Sequence, residues 1–427
     1  MGSPAIAMNI SLAYGRGHIE AELPDDRTTV IEPTHLAGLT DERAAVHAAL
    51  DAPISEAALS SKIDGKKKIC VVHTDITRAT PNDRLMSWLT AYLEEAGASR
   101  ENILLLNGLG THRPNTRAEL EEMLTPAVVA RYRCINHEPN DDDAHVQFGV
   151  TRTGAPALLN RHLAEADVRI ITGFIEPHFF AGFSGGPKGI MPAVAALRTV
   201  QSNHGALNIG DARATFGITE GNPIWEEMRD IALRVGPSFL LNVTLNEQRQ
   251  ITGVFAGDLI AAHRAGCEFV RASAMQRQTA PYHAVITTNS GYPLDMNLYQ
   301  GVKGMRSAAQ IVCDGGAILL VAECCDGLPH DSHHERLLHS VNHPDEILEK
   351  VAQPGFAWPE QWQGQIQALI QRRATVCLVS SLPEAAVRAA HLQPCRSVEH
   401  FLAEYCGGNT RIAVLPQGPL TVPYLAA

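Results

Sequence analysis

The stretch "KKKICVVHTDITRATPNDRLMSWLTAYLEEAG", Lys66 to Gly97, decides the fold class. From Lys68 to His73 it runs apolar and partly β-branched, and a polar turn follows, which predicts a strand. Beyond the turn, Leu85, Trp88, Leu89, Tyr92 and Leu93 recur at helical spacing, with Asn82 or Asp83 suited to the helix start. The unit then repeats. "ENILLLNGLGTHRPNT" predicts a strand from Ile103 to Leu106 and a glycine-rich turn, and "DVRIITGFIEPH" a strand from Val168 to Thr172. Strands alternating with helices at this distance imply a mostly parallel α/β sheet.

The pattern restarts later with "YHAVITTNSGYP" as strand and loop, "LYQGVKGMRSAAQIV" as helix and "GGAILLVAE" as strand. "ATVCLVSS" and "TRIAVLPQG" add two strands, with helical "LPEAAVRAAHL" and "SVEHFLAEYC" between them. A chain of 427 residues exceeds one hydrophobic core, so two α/β domains with mostly parallel sheets are expected. The boundary is placed after the helical "LIAAHRAGCEFVRASAMQ", giving domains 1–275 and 276–427, with the tail "TVPYLAA" able to return to the first.

Composition narrows the function. With 45% apolar and 19% charged residues the chain is that of a globular protein, and a formal charge of −11 argues against nucleic acid or an anionic membrane as partner. An anionic ligand then needs a local cluster of Arg and Lys. No apolar run is long enough to span a bilayer. "MGSPAIAMNISLAYG" lacks the charged start and apolar core of a signal peptide, and Pro4 spoils Gly2 as a myristoylation site. Nine cysteines without a CxxC pair, several (Cys70, Cys313, Cys377) inside apolar strands, read as buried reduced thiols of a cytoplasmic protein.

In open α/β sheets ligands bind beyond the carboxyl ends of the strands. Asp75 and Arg78 follow the first predicted strand, His112 and Arg113 the second, Glu176 and His178 the third. Tyr299, Gln300 and Lys303 follow a strand of the second domain, and the last two share a helical face. Any one of these would pass as a cap, a surface ion pair or a turn histidine, and His204 as a residue near a helix end. Gathered at strand ends, they imply an active-site cleft between the domains.

The most concentrated segment is "EPHFFAGFSGGPKG", Glu176 to Gly189. As a phosphate loop of the form G-x-x-x-x-G-K-[ST] it fails twice: Pro187 precedes the lysine, and Gly189 stands where Ser or Thr binds magnesium. A zinc site drawing on His112, His178 and His204 would suit a hydrolase or lyase, but it leaves Lys188 without a task. A third reading is a non-catalytic protein that closes on a small carboxylate. "HDSHHE", His330 to Glu335, has no ligand spacing and reads as a polar loop.

"HTDITRATP", "GTHRP", "EPHFFAGFSGGPKGIMP", "QSNHG" and "YQGVKGM" together, in this order and over most of the chain, resemble the nickel-dependent lactate racemase family. The resemblance implies two α/β domains around a nickel-pincer nucleotide, pyridinium-3-thioamide-5-thiocarboxylic acid mononucleotide nickel, attached covalently to Lys188. It implies His204 as the protein's nickel ligand, with Asp75, Gly185, Gly186 and Tyr299 close to the cofactor. It makes His112 and His178 the paired acid/bases, and Arg78, Gln300 and Lys303 the groups that hold substrate. Cofactor-biosynthesis proteins would be maturation partners. Nickel accepts imidazole and soft sulfur, and a cofactor with three donors needs one from the protein.

The implied reaction is racemisation or epimerisation of a 2-hydroxy acid such as lactate. The C2 hydrogen beside a carboxylate is poorly acidic, so it leaves as hydride to the cofactor while a histidine takes the hydroxyl proton. The planar 2-oxo acid turns, takes hydride on its other face and regains a proton from the second histidine. Phe179, Phe180 and Phe183 would wall the site or pack the core, and Trp358 or Trp362 would approach the substrate.

Overall fold

The computed structural model describes residues 7–328 and 332–425, and the chain divides into two compact units. One comprises His35–His204 and Arg213–Ala272; the other joins Met1–Thr34, Gly205–Ala212 and Ser273–Ala427. One passage between them falls at Ala272 and Ser273, and the N-terminal 34 residues belong with the C-terminal part.

The first unit is built on a six-stranded sheet. Its strands lie side by side in the order Ile251–Asp258, Phe239–Leu245, Val168–Phe174, Ile69–Thr74, Ile103–Gly108, Arg133–Asn136. All are parallel except the edge strand Ile251–Asp258. Ile69, Cys70, Val71 and Val72 are each at most 1% exposed, since helices cover both faces of a parallel sheet and leave no polar side. The Asn82–Glu95 helix buries Leu85, Met86, Leu89 and Leu93 against that sheet. Each such leucine contributes about 2 kcal/mol of burial.

Neither Asn82 nor Asp83 caps this helix. Pro81 holds the cap position, and the Asn82 amide donates backwards to Thr74 O at 2.9 Å and Thr74 Oγ1 at 3.2 Å. The strand's last residue and the helix's first are thereby tied together, which fixes the turn that carries Asp75 and Arg78.

Counted along the chain, the sheet runs outward in opposite directions from Ile69–Thr74. The crossover direction reverses between that strand and Val168–Phe174, and such a switch point opens a crevice at the carboxyl ends.

The second unit has its own six-stranded parallel sheet, in the order Gln393–Pro394, Ala374–Val379, Val312–Val321, Tyr282–Thr288, Ile412–Leu415, Thr28–Val30. The edge strand Thr28–Val30 comes from the N-terminal part. The Ala7–Tyr14 and Gly17–Pro24 hairpin sets Leu12, Ala21 and Leu23 into the same core as Phe401. Val422–Leu425 pairs in parallel with Met275–Gln278.

All nine cysteines are free. Cys70 and Cys377 are buried as expected, but Cys313 is only half-buried, beside the exposed Asp314 and Gly315 near the start of its strand. No helix among the described residues is long and apolar enough to cross a membrane. Residues 1–6, read above for targeting signals, residues 329–331 and the last two of the tail lie outside the described residues, and the rest of "HDSHHE" is not a loop, since His333–Glu335 open the His333–His339 helix behind its cap Ser332.

Candidate active site

Asp75 leaves the Ile69–Thr74 strand at the switch point and is 3% exposed. Its Oδ2 lies 2.7 Å from His112 Nδ1, and its Oδ1 accepts the Thr77 hydroxyl at 2.9 Å. Arg78 Nε stands 3.9 Å from Oδ1. Burial alone would raise the Asp75 carboxyl; the hydrogen bond and charge of His112, with Arg78 and Thr77, outweigh it and hold the group below its ordinary value. An ionised Asp75 requires the proton of a neutral His112 on Nδ1. The electron pair of that ring then sits on Nε2, the arrangement of a general base held by a carboxylate.

His178 lies on the two-residue ladder Pro177–His178 with Gly182–Phe183, where Ala181 N donates to its Nδ1 at 3.2 Å. In a neutral ring the proton is therefore on Nε2, the opposite tautomer to His112. Phe180 stands between two histidines. Its ring meets His178 at 4.5 Å and His204 at 5.0 Å, both edge-on. Phe179, Phe180 and Phe183 are all buried, so they form core and wall together.

His204 ends the Leu197–Asn203 helix and is 4% exposed. Burial first, and the charge of Lys188 second, push its imidazole down to about 3, so it is neutral. Its Nδ1 lies 3.0 Å from Asn203 Oδ1. The Asn203 amide nitrogen is committed to Glu227 Oε2 at 2.8 Å and Ile224 O at 3.2 Å, so its oxygen must face the ring. His204 then donates from Nδ1 and keeps its electron pair on Nε2, the form a metal takes.

Lys188 sits in the Gly186–Gly189 turn, held from beneath by two buried side chains of this unit. Asn242 Oδ1 accepts Gly186 N at 2.8 Å, and His263 Nε2 meets Ser184 O at 3.0 Å. Gly185 and Gly186 have φ of +78° and +55°, and a Cβ on them would lie 2.4 Å from Asn242 Oδ1 and 2.4 Å from His263 Cγ. Protein packing beneath the loop thus already demands both glycines, in addition to any ligand above it.

Tyr299, Gln300 and Lys303 share the Leu298–Ala308 helix of the other unit, whose start is capped by Asn297 accepting Gln300 N at 3.0 Å. Trp362 is buried in the Gln361–Gln371 helix, while Trp358 stacks on Phe356 at 5.2 Å.

The structure therefore brings Asp75, Arg78 and His112 into one cluster and His178, Phe180, His204 and Lys188 into another on the same unit. Among the described residues no three His, Cys, Asp or Glu side chains come together as metal ligands, which removes the three-histidine zinc site. Sequence reasoning missed Thr77, Asn203, Glu227, Asn242 and His263. Only Asn203 carried a signal, as the polar neighbour of His204.

Fold and site define a two-unit α/β protein with a carboxylate-held histidine, a neutral buried histidine and a loop lysine on its doubly wound unit. Profiles of the lactate racemase N-terminal and C-terminal domains match residues 14–217 and 277–422. Lactate racemases of Thermoanaerobacterium thermosaccharolyticum and Lactiplantibacillus plantarum are each 32% identical to the chain, over 419 and 421 residues, covering 96% of it and 98% of each relative. The solved lactate racemase apoprotein of T. thermosaccharolyticum matches with a TM-score of 0.92 at 30% identity, over 97% of this chain and 100% of that one. A Thermotoga maritima protein with TM-score 0.70 and 21% identity shares the fold, over 92% of this chain and 100% of its own. The chain belongs to the lactate racemase family.

Proposed function

We propose that this protein racemises or epimerises a short 2-hydroxy acid on a nickel-pincer nucleotide joined to Lys188. The residues present suit that group. His204 is neutral with its electron pair on Nε2, its Nδ1 is oriented by Asn203 and Glu227, and Lys188 projects from a loop whose floor is fixed by Asn242 and His263. When bound, the nucleotide supplies the acceptor and donor for the C2 hydrogen as hydride.

The chain's own residues do the rest. Arg78 is the fork for the substrate carboxylate, with Gln300 and Lys303 assisting. His112 takes the hydroxyl proton on Nε2, and the positive ring that results is stabilised by Asp75 at 2.7 Å. His178 serves the opposite enantiomer, returning a proton to the oxygen once the 2-oxo acid has turned. Buried Phe179, Phe180 and Phe183 keep water from that side.

The observation that carries this reading is the Asp75–His112 pair at the switch point. A buried, ionised carboxylate holding a histidine's Nδ1 leaves the ring's electron pair on Nε2 and makes that nitrogen a base. The test uses protein co-expressed with the cofactor-biosynthesis proteins. Intact mass should show an adduct of several hundred daltons on Lys188, nickel should copurify, and a single 2-hydroxy acid enantiomer should lose optical purity in D₂O while retaining its C2 hydrogen. Free exchange of that hydrogen with solvent would overturn hydride transfer, and mature protein without nickel would overturn the cofactor.

A further inference from the structure

His112 rides on the loop between the Ile103–Gly108 strand and the Arg117–Leu124 helix. The loop is held near both ends. Gly110 N donates to Ala193 O at 2.9 Å. Asn115 accepts Asn107 Nδ2 on its Oδ1 at 2.9 Å and Asn136 Nδ2 on its backbone oxygen at 2.8 Å. Between these anchors lies Arg113, the neighbour of His112, which the sequence placed with it at the crevice. The structure turns its guanidinium to Glu119 instead. Nη2 meets Oε1 at 2.5 Å and Nη1 meets Oε2 at 2.9 Å, and Nη1 also donates to Pro114 O at 3.1 Å.

Glu119 does more than cap its own helix. The capping box needs only Thr116 N donating to Oε2 at 2.7 Å, answered by Glu119 N donating to Thr116 Oγ1 at 3.2 Å. The same carboxylate also takes both arms of Arg113 and the Asn115 amide at 3.4 Å. Arg113 first, and Thr116 N second, hold the Glu119 carboxyl down to about 2, so the fork is charged at neutral pH. The Arg113 side chain is 66% exposed, and an ion pair so exposed adds little to stability. What it adds is geometry. Two parallel bonds fix the guanidinium plane, and with it the chain one residue beyond His112.

We propose that Arg113 and Glu119 are positioning residues for the reaction. Their fork sets the loop so that the His112 ring meets Asp75 and presents Nε2 to the substrate hydroxyl. This rests on the racemase reading above and extends it to residues that do not touch substrate.

The test measures kcat, KM and melting temperature on cofactor-loaded protein with a single lactate enantiomer. Glu119→Gln keeps the capping box, since glutamine serves at that position, and loses only the paired charge. Arg113→Gln leaves the box untouched and removes the fork. Asp75 still holds the ring in both, so kcat should fall about tenfold rather than the hundredfold of a full ångström's misplacement. KM should stay within about twofold, because Arg78 holds the carboxylate, and the melting temperature within about 3 °C. The double variant should be no slower than either single one, because both remove the same fork. A kcat within twofold of wild type in both single variants overturns the proposal. So does a double variant as slow as the product of the two effects, or a loss of kcat that tracks a larger fall in melting temperature. Arg113→Gln carries the test if Glu119→Gln fails to fold. If wild type with adduct and nickel racemises no 2-hydroxy acid, the racemase reading fails and this proposal with it; active wild type matched by both variants sinks the proposal alone.

Discussion

Asp75→Asn removes a charge and little else, and the structure says how much it should cost. The wild-type carboxylate is clamped at both oxygens, by His112 Nδ1 at 2.7 Å and the Thr77 hydroxyl at 2.9 Å. Weakening a charged hydrogen bond to a neutral one removes about 1–1.5 kcal/mol, roughly a factor of ten in rate. The tautomer matters more. If Thr77 keeps donating to the amide oxygen, the amide nitrogen must face His112 and donate to its Nδ1. The ring proton then moves to Nε2, and His112 loses the electron pair that makes it a base. We expect kcat/KM to fall by about 10³ or more, the scale of a wrong-tautomer defect.

Thr77→Ala in the same chain frees the amide to turn its oxygen to His112, and the double variant should regain about tenfold over Asp75→Asn alone. Enantiomers have equal free energies in water, so kcat/KM must fall equally in both directions, which checks the assay internally. Rates come from chiral chromatography on protein with adduct and nickel confirmed by mass. Asp75→Asn racemising within threefold of wild type would refute the assignment of His112 as base.

Lys188→Ala should abolish both the mass adduct and turnover, and retained racemisation would refute covalent anchoring. Asn203→Leu strips the acceptor from His204 Nδ1, and nickel retention under chelator challenge, read by metal analysis, should fall about ten- to a hundredfold. Gly186→Ala sets a Cβ 2.4 Å from the His263 ring at φ +55°, so the melting temperature should drop and adduct yield with it. Buried His73, His137 and His263 are pushed by burial to about 4 and His204 to about 3. The unfolded chain protonates these rings near 6.5 while the folded one resists. Their stabilisation is therefore complete above about pH 6.5 and is lost as pH falls towards 4, so the denaturant midpoint should decline steeply over that window.

The parallel strands were legible because a strand covered on both faces is apolar throughout, as Ile69–Val72 shows. Asp75, His112 and His178 could be picked out because they follow strands at the carboxyl edge of such a sheet, whereas Lys188 was singled out only by the resemblance of its loop. Contacts that join distant parts of the chain were not. Nothing local in Thr28–Val30 says that it completes a sheet beside Ile412–Leu415. Nor does "QWQGQIQALIQ" look like a buried helix, since Gln361, Gln363, Gln365 and Gln367 are polar, yet each is at most 4% exposed. Three of them are accommodated because their amides reach backbone carbonyls of Tyr299, Ala206 and Ala390. The supports of the site share this difficulty. Glu227 reaches His204 through Asn203, and Asn242 holds the Lys188 loop, only through folding, and no spacing marks them.

The two histidines are not equivalent, and their difference yields a sharper test of the two-base scheme. His112 already carries its proton on the side away from its working nitrogen. His178 does not, because its Nδ1 accepts from Ala181 N. To act as acid or base through Nε2, His178 needs a proton on Nδ1 in both states, so this bond must be given up first, at about 0.5–1.5 kcal/mol. As it stands, the ring can only donate a hydrogen bond from Nε2. Glutamine can present an N–H there too but cannot shuttle a proton. If His178 transfers protons, His178→Gln should lose about 10²–10⁴ in kcat with the Lys188 adduct intact. Turnover within tenfold of wild type would mean that His178 only polarises the 2-oxo group by donation, and that His112 alone serves both enantiomers.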